Sequence, residues 1–427
     1  VAQANPQAEH GKVVTVGRGH RPRRDHQTVA YLTNQLPFPD ISGGQVREAQ
    51  TLLRLAERFD IHLGIVTSEF ERDLAALDEV SAAFASVTLA PNLGGTDPAA
   101  HRDRVGNPEF VRQWAQVVRS ADLAHVEGYF MMPSLPRRAG LGVLLVEENI
   151  EFCLHRSFAG ESGPPEATWH RTRREEIAAW RSATLVGAVT LEDVRAITQA
   201  APDITPVHLP NGWDHLAFQP AGRRDAPSEA NVLFTGNFSW APTRDAATFL
   251  LNDIWPILRQ AHPSCRLVLA GASPTPTMKR AARRDPRVRV TGQVPTLRPY
   301  LENATVYLCP IRFGGGIKVK LVEALYSGQA IVTTPSAMQG LGNRYDDAVL
   351  VAQTASDLAA ATLTLLNDSR RRKQLAALAS AAVPALPTWD EAAAQLGHAW
   401  NRAAENRREA PHLSLSIQTA RSTPCLY

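Results

Sequence analysis

Residues 305–335 read TVYLCPIRFGGGIKVKLVEALYSGQAIVTTP, and the fold is decided there. Thr305 to Ile311 is a short apolar run of β-branched and aromatic residues, the composition of a buried strand. Gly314, Gly315 and Gly316 follow in a turn where backbone can approach a ligand closely, because no side chain intervenes. From Ile317 the spacing becomes helical, with Ile317, Leu321, Ala324, Leu325 and Gly328 on one small or apolar stripe. Ala330 to Thr334 is a second buried strand. Strand, glycine loop, helix and strand make a βαβ unit, and its loop lies at the carboxyl end of a strand, where open α/β sheets bind ligands. The helix begins with unpaired amide N–H groups and carries Lys318 and Lys320 in its first turn, which suits an anion such as a diphosphate.

The same alternation extends in both directions. Upstream, strands are expected at Thr28–Leu36, Ile61–Thr67, Ser86–Pro91, 123–128, 142–149, 184–190 and 205–209. The loop Pro37-Phe-Pro-Asp-Ile-Ser-Gly43-Gly44 leads into a helix with Val46, Ala49, Leu52, Leu53, Leu55 and Ala56 at helical spacing. The segment PVHLPNGWD (206–214), with its prolines and Asn-Gly turn, reads as a junction. A second series of strands follows at 231–236, 265–271, 288–292, 305–311, 330–334 and 348–352. Such alternation specifies parallel, doubly wound sheets. The chain is therefore expected to be α/β, with two Rossmann-like domains at residues 28–208 and 209–385 facing across a cleft. Residues 386–408 form a packing helix with Ala392, Ala393, Leu396, Ala399, Trp400 and Ala403 on one stripe. A polar leader (1–27) and a tail (409–427) are read as disordered. The loops at Gly43–Gly44 and Gly314–Gly316 would confront one another and grip a ligand with an anionic middle.

Composition excludes several classes. A chain of 427 residues, 44% hydrophobic and 20% charged, holds two or three domains at ~100–200 residues each. A net charge of only +3 gives no case for nucleic acid as a partner. Lysine is rare against arginine (Lys12, Lys279, Lys318, Lys320 and Lys373 only), a skew typical of GC-rich bacterial coding. Cys153, Cys265, Cys309 and Cys425 lie far apart without zinc or CxxC spacing and read as buried thiols of a reducing compartment. No apolar run approaches the ~18 residues of a membrane span. The basic N-terminus lacks the ~7–15-residue apolar core of a signal peptide. A cytoplasmic protein is expected, with peripheral membrane contact left open. No cluster of metal-ligating residues is visible, so neither metal nor cofactor is expected.

The ordered set of Pro37 to Gly44, Glu148-Asn149-Ile-Glu151, Pro210-Asn211-Gly212-Trp-Asp214, LFTGNFSWAP (233–242), Leu-Ala-Gly271, Gly292-Gln-Val294, GGGIKVKLVEAL (314–325) and Ala-Met-Gln-Gly340-Leu341 resembles glycosyltransferase family 4, the group 1 glycosyl transferases. The GGGIKxKxxEAL run is the specific part and marks a triple-glycine subgroup. The resemblance implies the GT-B fold, with the terminal helix crossing back onto the N-domain. It implies retaining transfer of a sugar from a nucleotide diphosphate sugar to a hydroxyl of a glycan, lipid-linked or secondary-metabolite acceptor, without a bound metal. Charge on the departing diphosphate must then be met by helix N-termini, amides and cations. Two other readings stand beside it: a non-catalytic nucleotide-sugar-binding subunit, and a GT-B sugar-nucleotide epimerase or hydrolase.

Glu323 matches the second glutamate of the family's E-x7-E pattern, which binds the donor ribose; on spacing alone, opposite the apolar stripe, it reads first as a solvated helix residue. The first glutamate falls at Gly315, so any role for that acid near the sugar has no side chain here. Lys318 and Lys320 are the diphosphate cations. They point to different faces, and Lys320 can instead pair with Glu323 at i, i+3. Arg312 is a further candidate at the strand end. Gly43 and Gly44 would cap the phosphates from the N-domain, Gly236 would admit the donor, and the backbone through Val294 would lie near the base. His125 and Glu127 alternate on one strand and share a face. Either orients sugar hydroxyls or Glu127 takes the acceptor proton, against the alternative of a core histidine. Asn149 is read as holding a strand-end loop, and Trp240 as shaping the cleft or filling the core.

Overall fold

The computed structural model describes residues 12–17, 26–38, 43–94, 96–97, 102–103, 105–157, 166–213, 230–382 and 386–406. Two sheets carry the chain. In the first, the strands lie in the order Val14–Gly17, Ser86–Pro91, Phe59–Thr67, Gln27–Thr33, Leu123–Glu127, Gly142–Glu147, Leu185–Ala188 and Val207–His208. In the second the order is Val288–Val290, Arg266–Ala270, Asn231–Thr235, Val306–Cys309, Ile331–Thr333 and Val349–Val351. All neighbours are parallel except at the edge strand Val14–Gly17. In each sheet the strand order reverses beside the first parallel strand. The N-domain crevice thus opens between Gln27–Thr33 and Leu123–Glu127, and the C-domain crevice between Asn231–Thr235 and Val306–Cys309. Such reversal points are where doubly wound sheets take ligands.

Helices cover both faces of the first sheet, so its strands read as continuous apolar runs rather than alternating ones. Phe110, Trp114, Val118, Ile177 and Trp180 fill one side. Leu52 and Leu55 of helix Gly43–Leu55 fill the other, together with Leu396, Trp400 and Ala403 of the last helix, Trp389–Asn406. The last helix therefore follows the C-domain in sequence but completes the N-domain core. Its approach runs beside the earlier crossing: the Trp213 amide donates to the Pro387 carbonyl at 2.9 Å, and Trp213 pairs with Thr388. Two adjacent strands of chain thus join the domains.

Several expectations change. Inside the stretch read as a disordered leader, Val14–Gly17 forms an edge strand antiparallel to Ser86–Pro91. Its β-branched residues alternate between half-buried and exposed, a pattern too short to stand out among polar neighbours. The first parallel strand ends at Thr33 rather than Leu36. Leu53, placed on the apolar stripe, is exposed. Cys265 and Cys309 are buried, but Cys153 is exposed. The tail at 409–427 and Cys425 lie outside the described residues. No described helix is long and apolar enough to cross a membrane.

Trp400 is fully buried, meets the rings of Phe59 and Tyr31 edge-on, and donates Nε1–H to His125 Nδ1 at 2.9 Å. Trp400→Ala should destabilise the N-domain by ~3–5 kcal/mol. Trp400→Phe, which keeps a ring but leaves His125 without its donor, should cost ~1–3 kcal/mol. Thermal unfolding followed by circular dichroism should rank wild type above Phe above Ala.

Candidate active site

The glycine loop is organised from beneath by Lys318. Its ammonium is buried and donates to the carbonyl oxygens of Gly314, Gly315 and Gly316 at 3.0, 2.9 and 2.8 Å, which uses all three of its protons. Burial lowers its pKa to about 8. In a planar trans peptide, the N–H points opposite to the C=O of the preceding residue. Turning three carbonyls inward therefore turns the N–H groups of Gly315, Gly316 and Ile317 away from the ammonium. All three of these residues line the cleft, and none of the three amides donates a hydrogen bond among the described residues. Helix Val319–Tyr326 follows at once, so the positive end of its dipole adds to the same spot.

The cleft between the domains encloses about 830 Å³. On its C-domain wall Lys320 gives one proton to Thr243 Oγ1 at 2.7 Å and lies 5.7 Å from the centre of the Trp240 ring. Its other two protons have no acceptor among the described residues. Gly236, with φ of 148°, lies directly against it: a Cβ there would come within 2.7 Å of Lys320 Nζ. One helical turn beyond Lys320, Glu323 also lines the cleft, and its carboxyl group accepts no hydrogen bond among the described residues. Burial raises its pKa to about 7, against the pull of Lys320. Val294 lines the far end of the same wall.

Gly43, Gly44, Gln35 and Arg47 form the N-domain wall, with Glu148 and Asn149 from the next strand end. The domains touch across it. A Cβ on Gly43 would meet Val319 Cγ2 at 2.8 Å, and one on Gly315 would meet Asn149 Oδ1 at 2.7 Å. Gly315 is thus glycine because the opposite domain occupies the space a side chain would need. Arg47 is buried and donates to Glu127 Oε1 at 2.9 Å. The same oxygen accepts from Tyr31 at 2.7 Å. Burial pushes Glu127 up, but Arg47, His125 and Tyr31 together outweigh it and hold the carboxyl down at about 2.

Five of the expected site residues take contacts other than the ones expected. His125 is fully buried, stacked on Tyr31 with ring centres 4.2 Å apart. Trp400 can only donate, so Nδ1 accepts from it and Nε2–H donates to Glu127 at 3.0 Å. Both nitrogens are occupied, burial lowers the pKa, and the ring does not reach the cleft. Glu127 likewise fixes Arg47 instead of lining the main cleft. Arg312 turns away, forming a bidentate pair with Asp245 at 2.6 and 2.9 Å over the Phe249 ring. Lys318 serves the loop's carbonyls, leaving Lys320 as the lysine open to a ligand. Gly314 contributes its carbonyl to Lys318 but packs against Pro242 and Trp240. Trp240 is a cleft residue, 40% exposed. Arg47 was missed because the helix was read for its apolar stripe. The available signal was a charged pair, Arg47-Glu48, one turn after a diglycine.

Residues 229–368 match the family model "Glycosyl transferases group 1". Phosphatidyl-myo-inositol mannosyltransferase from Mycobacterium tuberculosis and from Mycobacterium bovis is 29% identical over 206 residues, 45% of this chain and 54% of the relative. The chain spans about half the length of the curated relatives it matches. Among solved structures, sucrose-phosphate synthase from Thermosynechococcus elongatus superposes with a TM-score of 0.66 at 17% identity, covering 88% of this chain and 99% of that one. The Anabaena protein HepE in complex with UDP and glucose gives 0.64 at 14% identity, covering 88% and 100%. The fold is GT-B, with two Rossmann-like domains facing across the cleft.

Gly315→Ala should weaken domain closure by ~1–3 kcal/mol, the usual cost of overpacking a tight contact. Small-angle scattering should report a larger radius of gyration, and adding Asn149→Gly should restore the smaller one.

Proposed function

We propose that this protein is a retaining glycosyltransferase that moves a sugar from a nucleotide diphosphate sugar to an acceptor hydroxyl, without a bound metal. The observation that carries the reading is the row of unpaired amides at Gly315, Gly316 and Ile317, backed by Lys318 and flanked by Lys320. This is a preorganised receptor for a diphosphate. Glu323, on the same cleft wall as Lys320, is the acceptor for the ribose hydroxyls in this reading. The match to group 1 glycosyl transferases over residues 229–368 supports the donor half. In the reaction the bond from the anomeric carbon to the phosphate oxygen breaks and the acceptor oxygen bonds to that carbon from the same face. The acceptor's proton passes to the departing diphosphate. The amides and Lys320 hold the charge that develops there, and Gly43 and Gly44 allow the N-domain to approach it.

A thermal-shift screen against UDP-, GDP-, ADP- and TDP-sugars should pick out one nucleotide by a raised unfolding temperature. Lys320→Met should weaken that nucleotide about 10- to 100-fold, the worth of a charge-assisted hydrogen bond. No nucleotide-dependent shift in wild type would overturn the donor assignment. Turnover should release nucleoside diphosphate only with acceptor present, give a glycoside of unchanged anomeric configuration by NMR, and survive EDTA.

Glu323 supplies a pH signature. Its pKa is raised to about 7 in the free protein, and the ionised form is the better acceptor for two ribose hydroxyls. Binding then draws the pKa down and releases a proton, so nucleotide affinity should rise as pH increases through about 7. Calorimetry should show that rise in wild type and a flat profile in Glu323→Gln.

A further inference from the structure

The arginine on the N-domain wall has more donors than the protein uses. Arg47 is 2% exposed, and its guanidinium carries five N–H donors in a fixed fork. Nη1 donates to Glu127 Oε1 at 2.9 Å. Nε is shut in without a partner. Nη2 has no acceptor among the described residues but keeps accessible surface, and Arg47 lines the main cleft. Glu127 does not require so large a donor, because the same oxygen also receives Tyr31 and His125. A buried cation with spare donors is costly unless another group takes them.

The way the domains meet brings an anion to this arginine. Helices Gly43–Leu55 and Val319–Tyr326 approach first turn to first turn, since a Cβ on Gly43 would come within 2.8 Å of Val319 Cγ2. The positive ends of both dipoles therefore converge on one part of the cleft. A helical side chain lies over the turn N-terminal to its own Cα, so Arg47 covers the turn that holds Gly43 and Gly44. Neither glycine has a side chain to screen it from Gly315, Gly316 and Ile317, which line the same cleft. We propose that Arg47 is a catalytic residue of the transfer, donating from Nη2 to the phosphate that departs with the nucleotide. The inference rests on the transferase reading and deepens it. The bond from the anomeric carbon to the phosphate oxygen breaks with its electron pair going to that oxygen. The acceptor oxygen bonds to the carbon, and its proton ends on the diphosphate. The loop amides and Lys320 meet the growing charge from the C-domain, and Arg47 meets it from the N-domain. Both halves act together only when the domains are closed, which ties bond breaking to closure. Glu127 is the positioning residue: it holds Nη1, and the planar fork then fixes where Nη2 points.

Calorimetry on the full chain tests the contact, using the nucleotide selected by thermal shift. The nucleoside diphosphate carries the departing phosphate, and the matching monophosphate lacks it. Arg47→Lys keeps a cation for Glu127 but gives up the second arm of the fork. It should weaken the diphosphate about tenfold or more and leave the monophosphate within about twofold. An arginine with a purely structural role would weaken both nucleotides alike, or neither, and either result overturns the assignment. Circular dichroism melts verify folding. Should Arg47→Lys not fold, the double variant Arg47→Met with Glu127→Gln, which removes both charges of the pair, carries the same comparison. The wild type separates the two claims. If it binds the diphosphate no better than the monophosphate, the transferase reading falls. If it prefers the diphosphate and the variant keeps that preference, the role of Arg47 falls alone.

Discussion

One buried ammonium holds the donor side of this protein in shape. Lys318 gathers the carbonyls of Gly314, Gly315 and Gly316, and peptide planarity then fixes where the next three N–H groups point. A side chain on any of these glycines would disturb either the loop or the domain facing it. Only a chain without Cβ atoms can bend this tightly over a lysine and still meet Asn149 of the opposite domain. The surface that the proposed diphosphate would meet is thus made of backbone, positioned by a cation whose protons are spent on the loop's own carbonyls.

A second anchor, Glu127, sets the other wall. One carboxylate oxygen receives Tyr31, Arg47 and His125, and His125 is held in turn by Trp400. Helix Trp389–Asn406, reached only after the whole C-domain, is therefore three hydrogen bonds from the arginine at the N-domain face of the cleft. Packing of Trp389–Asn406 and the position of Arg47 depend on one another. This coupling explains a buried polar network inside a hydrophobic core, where each member is costly unless satisfied.

The sequence announced both domains because their parallel strands are buried on two faces and read as uninterrupted apolar runs. The stretch from Thr305 to Pro335 showed the glycine loop for the same reason, and Gly315, Gly316, Lys318 and Lys320 do line the cleft. Roles were harder to read. Whether a lysine points at a ligand or at its own loop depends on side-chain direction, which spacing in a short helix constrains weakly. His125 and Glu127 share a strand face as expected, but that face is covered by a helix some 275 residues further along the chain, a relation no local pattern contains. Arg312 was drawn off by Asp245, 67 residues away. The edge strand Val14–Gly17 was lost because four residues in a polar leader carry too little periodicity to register.

The most direct test of the central claim is a crystal structure with the nucleoside diphosphate selected by thermal shift. The amides of Gly315, Gly316 and Ile317 should lie within hydrogen-bond distance of the diphosphate oxygens, with Lys320 beside them and Lys318 still bound to the three loop carbonyls. A diphosphate held directly by the Lys318 ammonium, with those carbonyls released, would contradict the account.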